Sequence, residues 1–177
     1  MMVRVALLRG VNVSGAGKLP MTEFRALLAG MGLGRVETYI QSGNAVFDSD
    51  LPAAGLEVSI PAAIAGRFGF APETFVRGAA EIAAALTGHP FAGADPARVH
   101  VFFLKEVPGA LDETGLAALA APGDGWHLSG RRFTLHTPAG IGRSRLADRL
   151  HRFLPGPMTA RNLRTVAALE AICAARG

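Results

Sequence analysis

The sequence has little cysteine, no long apolar run and few charges. Its one cysteine, Cys173, can form no internal disulfide and supplies no zinc ligand set, and its alanine-rich surroundings predict a small buried side chain. No apolar stretch approaches the roughly 18 residues of a membrane span, and Arg4 and Arg9 interrupt the first apolar segment, which argues against a signal peptide. We therefore expect a soluble, cytoplasmic protein without a membrane partner.

Charged residues make up 18% of the 177 residues and apolar residues 50%, which excludes a disordered tail and predicts a substantial core. Lysine is also scarce, at two residues, so arginine carries the positive charge. Residues 131–177 contain nine arginines against Asp148 and Glu170, a balance of +7. This asymmetry is typical of a surface for phosphate groups or nucleic acid, but an arginine-rich genome composition would produce it equally well.

Hydrophobic periodicity predicts one strand-helix-strand-strand-helix-strand unit in residues 1–88. Strands are expected over 3–9, 36–41, 45–47 and 72–77, and helices from Pro20 and around 60–68, followed by a short helix at 79–87. Proline is tolerated in a helix only near its start, so either Ser59 caps the second helix or Pro61 marks a kink. Residues 89–97, rich in glycine and proline, are predicted to be a linker.

The same element order is predicted again in residues 98–177. Strands are expected over 98–105, 126–128, 131–136 and 157–160, and helices from Asp112, over 143–154 and over 162–175. Two copies of one pattern predict an α+β fold of two tandem ferredoxin-like (βαββαβ) units, with antiparallel sheets backed by helices. The repeat suggests a duplication.

Two loops that follow predicted strands form the first candidate site. Because strands one and three are neighbours in a ferredoxin-like sheet, the loops at their ends can bring two cations and several amide or hydroxyl groups together. Such a set suits a phosphate or carboxylate. The alternative is that the polar side chains satisfy loop backbone groups and the glycines only permit tight turns. The candidate residues are Arg9, Asn12, Lys18, Gln41, Ser42 and Asn44.

A second candidate site is the segment 140–144, where glycines precede a predicted helix. If Gly142 is the cap, Arg143 and Ser144 lie in the first turn, where a helix attracts anions. The alternative, which is favoured for Ser144, is that its hydroxyl only caps the helix. Arg145, Arg149 and Arg152 are predicted on one side of the helix, either as a track for a phosphate backbone or as a solvated face.

Several segments, taken in order, resemble the bacterial DUF1697 family, a domain of unknown function. They are 7–12, Lys18 with Pro20-Met21, 39–44, 140–146 and 159–162. The family typically has an aromatic residue at the place of Thr137, an aspartate at Ala139, a lysine at Arg145 and Trp-Asn at Leu163-Arg164. The resemblance implies the tandem ferredoxin-like arrangement and no known activity.

The sequence offers no metal or cofactor motif, since the five histidines show no ligand spacing. The leading hypothesis is a protein that binds a small anionic ligand through the first-half loops, joined by Arg143, Ser144, Arg161 and Asn162. Three alternatives stay open. They are a nucleic-acid-binding module that uses the C-terminal arginines, an enzyme acting on a phosphorylated metabolite with His136 as base to Ser144, and a structural protein that binds a partner.

Overall fold

Two antiparallel sheets of the same strand order form the framework of the protein. The computed structural model describes residues 1–15 and 17–177, which contain two four-stranded sheets and six α-helices. In each sheet the first and third strands of the unit lie at the centre, as the ferredoxin-like order requires. The predicted fold class of two tandem ferredoxin-like units is therefore confirmed.

The first unit has the strand order β2-β3-β1-β4. Glycine 43, at φ +88°, permits the tight turn between β2 and β3. A short helix, α3, follows the unit. The elements are β1 (Met2–Leu8), α1 (Met21–Gly30), β2 (Gly34–Tyr39), β3 (Asn44–Ser49), α2 (Ala53–Phe68), β4 (Thr74–Gly78) and α3 (Ala79–Thr87).

The second unit repeats this arrangement with the order β6-β7-β5-β8. Three-residue 3-10 turns occur at Pro96–Arg98, Ile141–Arg143 and Leu150–Arg152. Asp112 caps α4 as predicted, because its Oδ1 accepts from the Gly115 N–H at 2.9 Å. The elements are β5 (Val99–Leu104), α4 (Glu113–Leu119), β6 (Gly125–Ser129), β7 (Arg132–His136), α5 (Arg145–Asp148), β8 (Met158–Asn162) and α6 (Leu163–Ala174).

Each unit buries one face of its sheet against helices. In the first unit, Ala6 and Leu8 of β1 belong to a fully buried cluster with Phe24 of α1 and Ile60 and Ile64 of α2. A fully buried side chain of this size contributes about 1.5–3 kcal/mol. The cluster therefore fixes where β1 ends and α1 begins, and so fixes the loop between them.

Two helix predictions are wrong in their bounds. In place of the helix expected over 143–154, the chain forms the short helix α5 with a 3-10 turn before it and another after it. The Arg149 N–H donates to the carbonyl oxygens of both Arg145 at 3.2 Å and Leu146 at 3.3 Å. At this residue the α-helical hydrogen-bond spacing changes to the 3-10 spacing. The second helix begins at Ala53, so Ser59 is not its cap and Pro61 lies inside it. Burial of the side chains at 56, 60 and 64 offsets the missing proline N–H.

Contacts between residues divide the chain into two compact units, Met1–Ala83 with Ala168–Gly177, and Ala84–Ala167. This division does not test which segments fold independently, so the domain bounds of 1–88, 89–97 and 98–177 stay a prediction. Across residues 1–15 and 17–177, every helix is too short or too polar to span a bilayer. Within the same residues, no three His, Cys, Asp or Glu side chains are grouped so that they could hold a metal ion.

Candidate functional site

Hydrogen bonds of the Asn12 side chain connect the loop after β1 to the loop between β2 and β3. Its Nδ2 donates to the carbonyl oxygens of Leu19 at 2.8 Å and Gln41 at 2.7 Å, and its Oδ1 accepts from the Leu19 N–H at 2.8 Å. Its φ of +56° lies in the left-handed region, which asparagine tolerates better than most residues. The amide of Asn12 is therefore engaged in holding two loops together.

Asn44 and Ser42 build the turn between β2 and β3. Asn44 is fully buried, and its Nδ2 donates to the Tyr39 carbonyl at 2.9 Å and to the Ser42 Oγ at 3.0 Å. A Cβ at Gly43 would lie 2.6 Å from Val11 Cγ2, so only glycine fits the approach of this turn to β1. For Asn12, Ser42 and Asn44 these contacts favour the interpretation in which loop side chains satisfy backbone groups.

The two loops and the start of α1 border an open cavity of about 340 Å³. Two of the predicted ligand-binding residues with exposed side chains, Lys18 and Gln41, contribute to its wall. No carboxylate is among the residues that form this wall in the described part of the chain. Among residues 1–15 and 17–177, the lining is Asn12, Lys18, Pro20, Met21, Thr22 and Gln41.

The N-terminus of α1 opens into this cavity. Pro20 precedes the helix and makes no side-chain capping bond, and the first N–H groups of a helix have no acceptor within it. The partial positive charge of this helix end therefore adds to the charge of Lys18. Glu23, in the same turn, is paired with Arg67, which reduces its opposing effect.

Sequence reasoning missed Thr22 and the backbone N–H groups of the first turn of α1. The available signal was Pro20: a proline directly before a helix leaves the end without the hydroxyl or carboxyl cap that Ser, Thr, Asp or Asn would provide. Thr22 is exposed at the cavity and adds a hydroxyl group.

Arg9 is exposed and lies at the side of β1 that pairs with β4. Its backbone N–H donates to the Glu73 carbonyl at 2.9 Å, immediately before β4, whereas Asn12 is bonded to the loop between β2 and β3. Its side chain is not among those that line the 340 Å³ cavity. The structure therefore brings Lys18, Asn12 and Gln41 together around one cavity, and a ligand contact by Arg9 stays a prediction.

The second candidate segment lines a different cavity, of about 500 Å³, in the second unit. Arg143 and Ser144 contribute to it, over a floor that includes Phe102 of β5 and Ala160 of β8. Ser144 is 7% exposed and is the N-cap of α5, since its Oγ accepts from the Ala147 N–H at 3.0 Å. The cap is thus at Ser144 and not at Gly142.

Arg161 and Asn162 are held by their own surroundings. Arg161 is 7% exposed, and its Nη1 donates to Thr159 Oγ1 and to the Ala160 carbonyl, both at 2.9 Å. Burial lowers the pKa of the Arg161 guanidinium to about 10. Asn162 Oδ1 accepts from the Thr165 N–H at 3.0 Å in the first turn of α6. Neither residue is among those that line the 500 Å³ cavity.

The arginines expected on one helix face do not share a helix. Arg145 lies in α5, Arg149 ends it, and Arg152 belongs to the following 3-10 turn. Across this break the regular spacing that a phosphate-tracking stripe needs is lost. The His136 ring contacts that of Phe91 in a tilted arrangement, with ring centroids 5.6 Å apart and an interplanar angle of 43°. The Ser144 hydroxyl serves as a cap.

Comparison with known proteins identifies a family and a fold. The model of the DUF1697 family, described as "Protein of unknown function", matches residues 1–133. The solved structure of the conserved bacterial protein SP0830 from Streptococcus pneumoniae is similar with a TM-score of 0.74 and 24% identity, covering 97% of this chain and 98% of that chain. No curated protein matches the sequence. The family model ends before Thr137, and the departures noted at 137–164 all lie beyond it.

Proposed function

Because the chain belongs to the DUF1697 family, whose function is unknown, we propose its function from the geometry of its loops. We propose that the protein binds a small anion, bearing a phosphate or carboxylate group, in the 340 Å³ cavity between the loop after β1, the β2–β3 loop and α1. The observation that carries the proposal is the meeting of the Lys18 side chain and the uncapped N-terminus of α1 at one cavity.

The donors around the cavity suit an oxyanion. Lys18 supplies a mobile point charge, the first turn of α1 supplies oriented backbone N–H groups, and Thr22 and Gln41 supply neutral donors. The Asn12 amide takes no part in binding, because it holds the two loops. Its role is to keep Lys18 and Gln41 at a constant separation in the absence of ligand.

The test is a titration of the full chain with inorganic phosphate, followed by the amide resonances of residues 21–23. We expect saturable shifts of these resonances and an affinity at least about tenfold weaker in Lys18→Gln, since a charge-assisted hydrogen bond contributes about 1.5–3 kcal/mol. Lys105→Gln is the matched control, because it removes the same charge at the other lysine of the chain.

Two outcomes would contradict the proposal. One is the absence of saturable shifts at residues 21–23. The other is an equal loss of affinity in Lys18→Gln and Lys105→Gln, which would indicate a general charge effect. The sequence analysis predicts that Arg9 also binds the ligand. This prediction requires that Arg9→Gln lower the affinity for phosphate as well.

The nucleic-acid alternative predicts a different salt dependence. Binding to a phosphate backbone through the C-terminal arginines would weaken steeply as salt rises and would be insensitive to Lys18→Gln. The alternative of an enzyme predicts turnover that is lost in Ser144→Ala. Cytoplasmic location likewise stays a prediction.

The proposed duplication is supported by two arginines at corresponding places. Arg77 lies opposite Val5 and Arg161 opposite Val101, in the last strand of each unit. Each Nη1 donates at 2.9 Å to the carbonyl of the residue before it. A shared side-chain conformation at a shared register is expected of units with a common origin.

A further inference from the structure

A second cavity, of about 830 Å³, lies in the compact unit formed by Met1–Ala83 and Ala168–Gly177, beside β2, which is an edge strand of its sheet. Its volume falls in the range of small-molecule pockets, about 300–1,000 Å³. It is separate from the Lys18 cavity, since none of the described residues lines both. Its walls are Arg25 of α1, residues 35–37 of β2, and Ala171, Ile172, Ala175 and Arg176 at the end of α6.

Arg35 is held in an unusual backbone conformation at this cavity. The β2–β3 register shifts between Gly34 and Glu37, so β2 carries one extra residue, and Arg35 has φ +44°. A bulge of this kind turns a side chain away from its regular direction, and an arginine in the left-handed region is uncommon. Such a conformation persists where surrounding contacts hold it, as at many ligand sites.

The contact that holds Arg35 is a hydrogen bond from its Nε to Asp48 Oδ2. The Asp48 side chain is only 7% exposed, while that of Arg35 is 58% exposed. Asp48 therefore anchors the inner end of the guanidinium. The two terminal amino groups of Arg35 make no hydrogen bond or ion pair within residues 1–15 and 17–177.

The charges around the cavity leave a positive excess. Glu37 Oε2 lies 3.5 Å from Arg176 Nη2, and Asp48 Oδ1 lies 3.5 Å from Arg176 Nη1. Three guanidinium groups thus face two carboxylates. Arg25 is exposed and pairs with no acid among the described residues. Arg25 and the outer edge of Arg35 are the donors left for an anion.

The remaining wall is apolar. Val36, Ala171, Ile172 and Ala175 form it, and Ile172 and Val36 are the largest of these side chains. We propose that this cavity is a second binding site, for a small organic anion whose phosphate or carboxylate group is held by Arg25 and Arg35 and whose apolar part lies against Val36 and Ile172. Arg35 offers a planar fork for the anionic group, and Asp48 is its positioning residue.

The test follows the amide resonances of Val36, Glu37 and Ile172 in the full chain during titration with phenyl phosphate, benzoate, inorganic phosphate or phenol. We expect saturable shifts with phenyl phosphate or benzoate, and the tighter of the two identifies the preferred anionic group. Inorganic phosphate and phenol are each expected to bind at least about tenfold more weakly, because each lacks one half of the recognised group.

Variants separate this site from the Lys18 cavity and from general charge effects. Arg25→Gln and Arg35→Gln are each expected to weaken binding about tenfold. Arg35→Lys keeps the charge but loses the planar fork, so it should weaken binding nearly as much as Arg35→Gln does. Arg25→Lys keeps the charge and should retain most of the wild-type affinity. Lys18→Gln and the exposed Arg152→Gln serve as controls, with affinity unchanged.

Three results would overturn the inference. They are the absence of saturable shifts at residues 36, 37 and 172, phenol binding as tightly as phenyl phosphate, and an affinity that does not change in Arg25→Gln and Arg35→Gln. Failure of phosphate to shift residues 21–23 would leave these three readouts unaffected, because the two sites have no described residue in common.

Discussion

Gly43 and Gly32 provide a matched pair of substitutions that tests how closely the β2–β3 turn approaches β1. Both glycines lie in the left-handed region, at φ +88° and +84°. At Gly43 an added Cβ would lie 2.6 Å from Val11 Cγ2 and 2.9 Å from Leu8 Cβ. At Gly32 no atom of the described residues lies within 4 Å of an added Cβ. The two substitutions thus share the backbone cost and differ in the steric one.

The expected magnitudes follow from these two contributions. A left-handed alanine costs about 1–2 kcal/mol, so Gly32→Ala should lower the free energy of unfolding by that amount. Gly43→Ala adds an overlap with two buried side chains, which costs a further ~1–3 kcal/mol. Gly43→Ala should therefore be less stable than Gly32→Ala by about 1–3 kcal/mol.

Urea unfolding followed by circular dichroism measures both free energies, provided that the slopes agree among the variants. Equal destabilisation of the two variants would refute the close approach of the turn to β1. A second readout concerns the Lys18 cavity. Because Gln41 lies in the same turn, we expect Gly43→Ala, but not Gly32→Ala, to weaken phosphate binding there.

Further predictions concern pH, capping and thiol reactivity. The hydrogen bond from Arg35, aided by the charge of Arg176, holds the pKa of Asp48 below its usual 3.8 despite burial, so the charged form stabilises the fold above that pH and this contribution is lost as pH falls through the folded-state pKa. The urea midpoint of the wild type should therefore fall at acid pH, and that of Asp48→Asn should fall less. Wild-type and variant midpoints that change in parallel with pH would contradict this linkage. Ser144→Ala should lower the free energy of unfolding in urea by about 0.5–2 kcal/mol, and Ser144→Thr should lower it less. Equal losses in the two variants would exclude the capping role. Burial raises the pKa of the Cys173 thiol, so iodoacetamide should modify it much more slowly in the native chain than in urea, and equal rates would show that the thiol is accessible.

Most of the fold follows from patterns that local chemistry controls. Alternating apolar residues marked the strands, and turn residues such as those at 42–43 and 129–130 marked the hairpins. The predicted helix over 143–154 failed because the apolar spacing at 146, 150 and 154 is satisfied equally by α5 and a following 3-10 turn. Spacing reports which side chains are buried and does not report the hydrogen-bond period between them.

The candidate sites were less accessible to sequence reasoning. Lys18 and Gln41 were predicted together because strand ends in this fold meet, and they do line one cavity. Arg35 and Asp48 were missed, because the bulge that turns Arg35 depends on pairing between β2 and β3. The available signal was Asp48 itself, a carboxylate directly after the apolar residues 45–47, since a charge within a buried strand needs a partner.

The way in which Gln41 is held has a consequence for how the protein can change. Asn12 bonds to the main-chain oxygen of Gln41, and any amino acid at position 41 carries the same oxygen. The exposed side chain can therefore be exchanged while the loops keep their spacing. Position 41 is thus suited to substitutions that are meant to change ligand preference at little expense of stability.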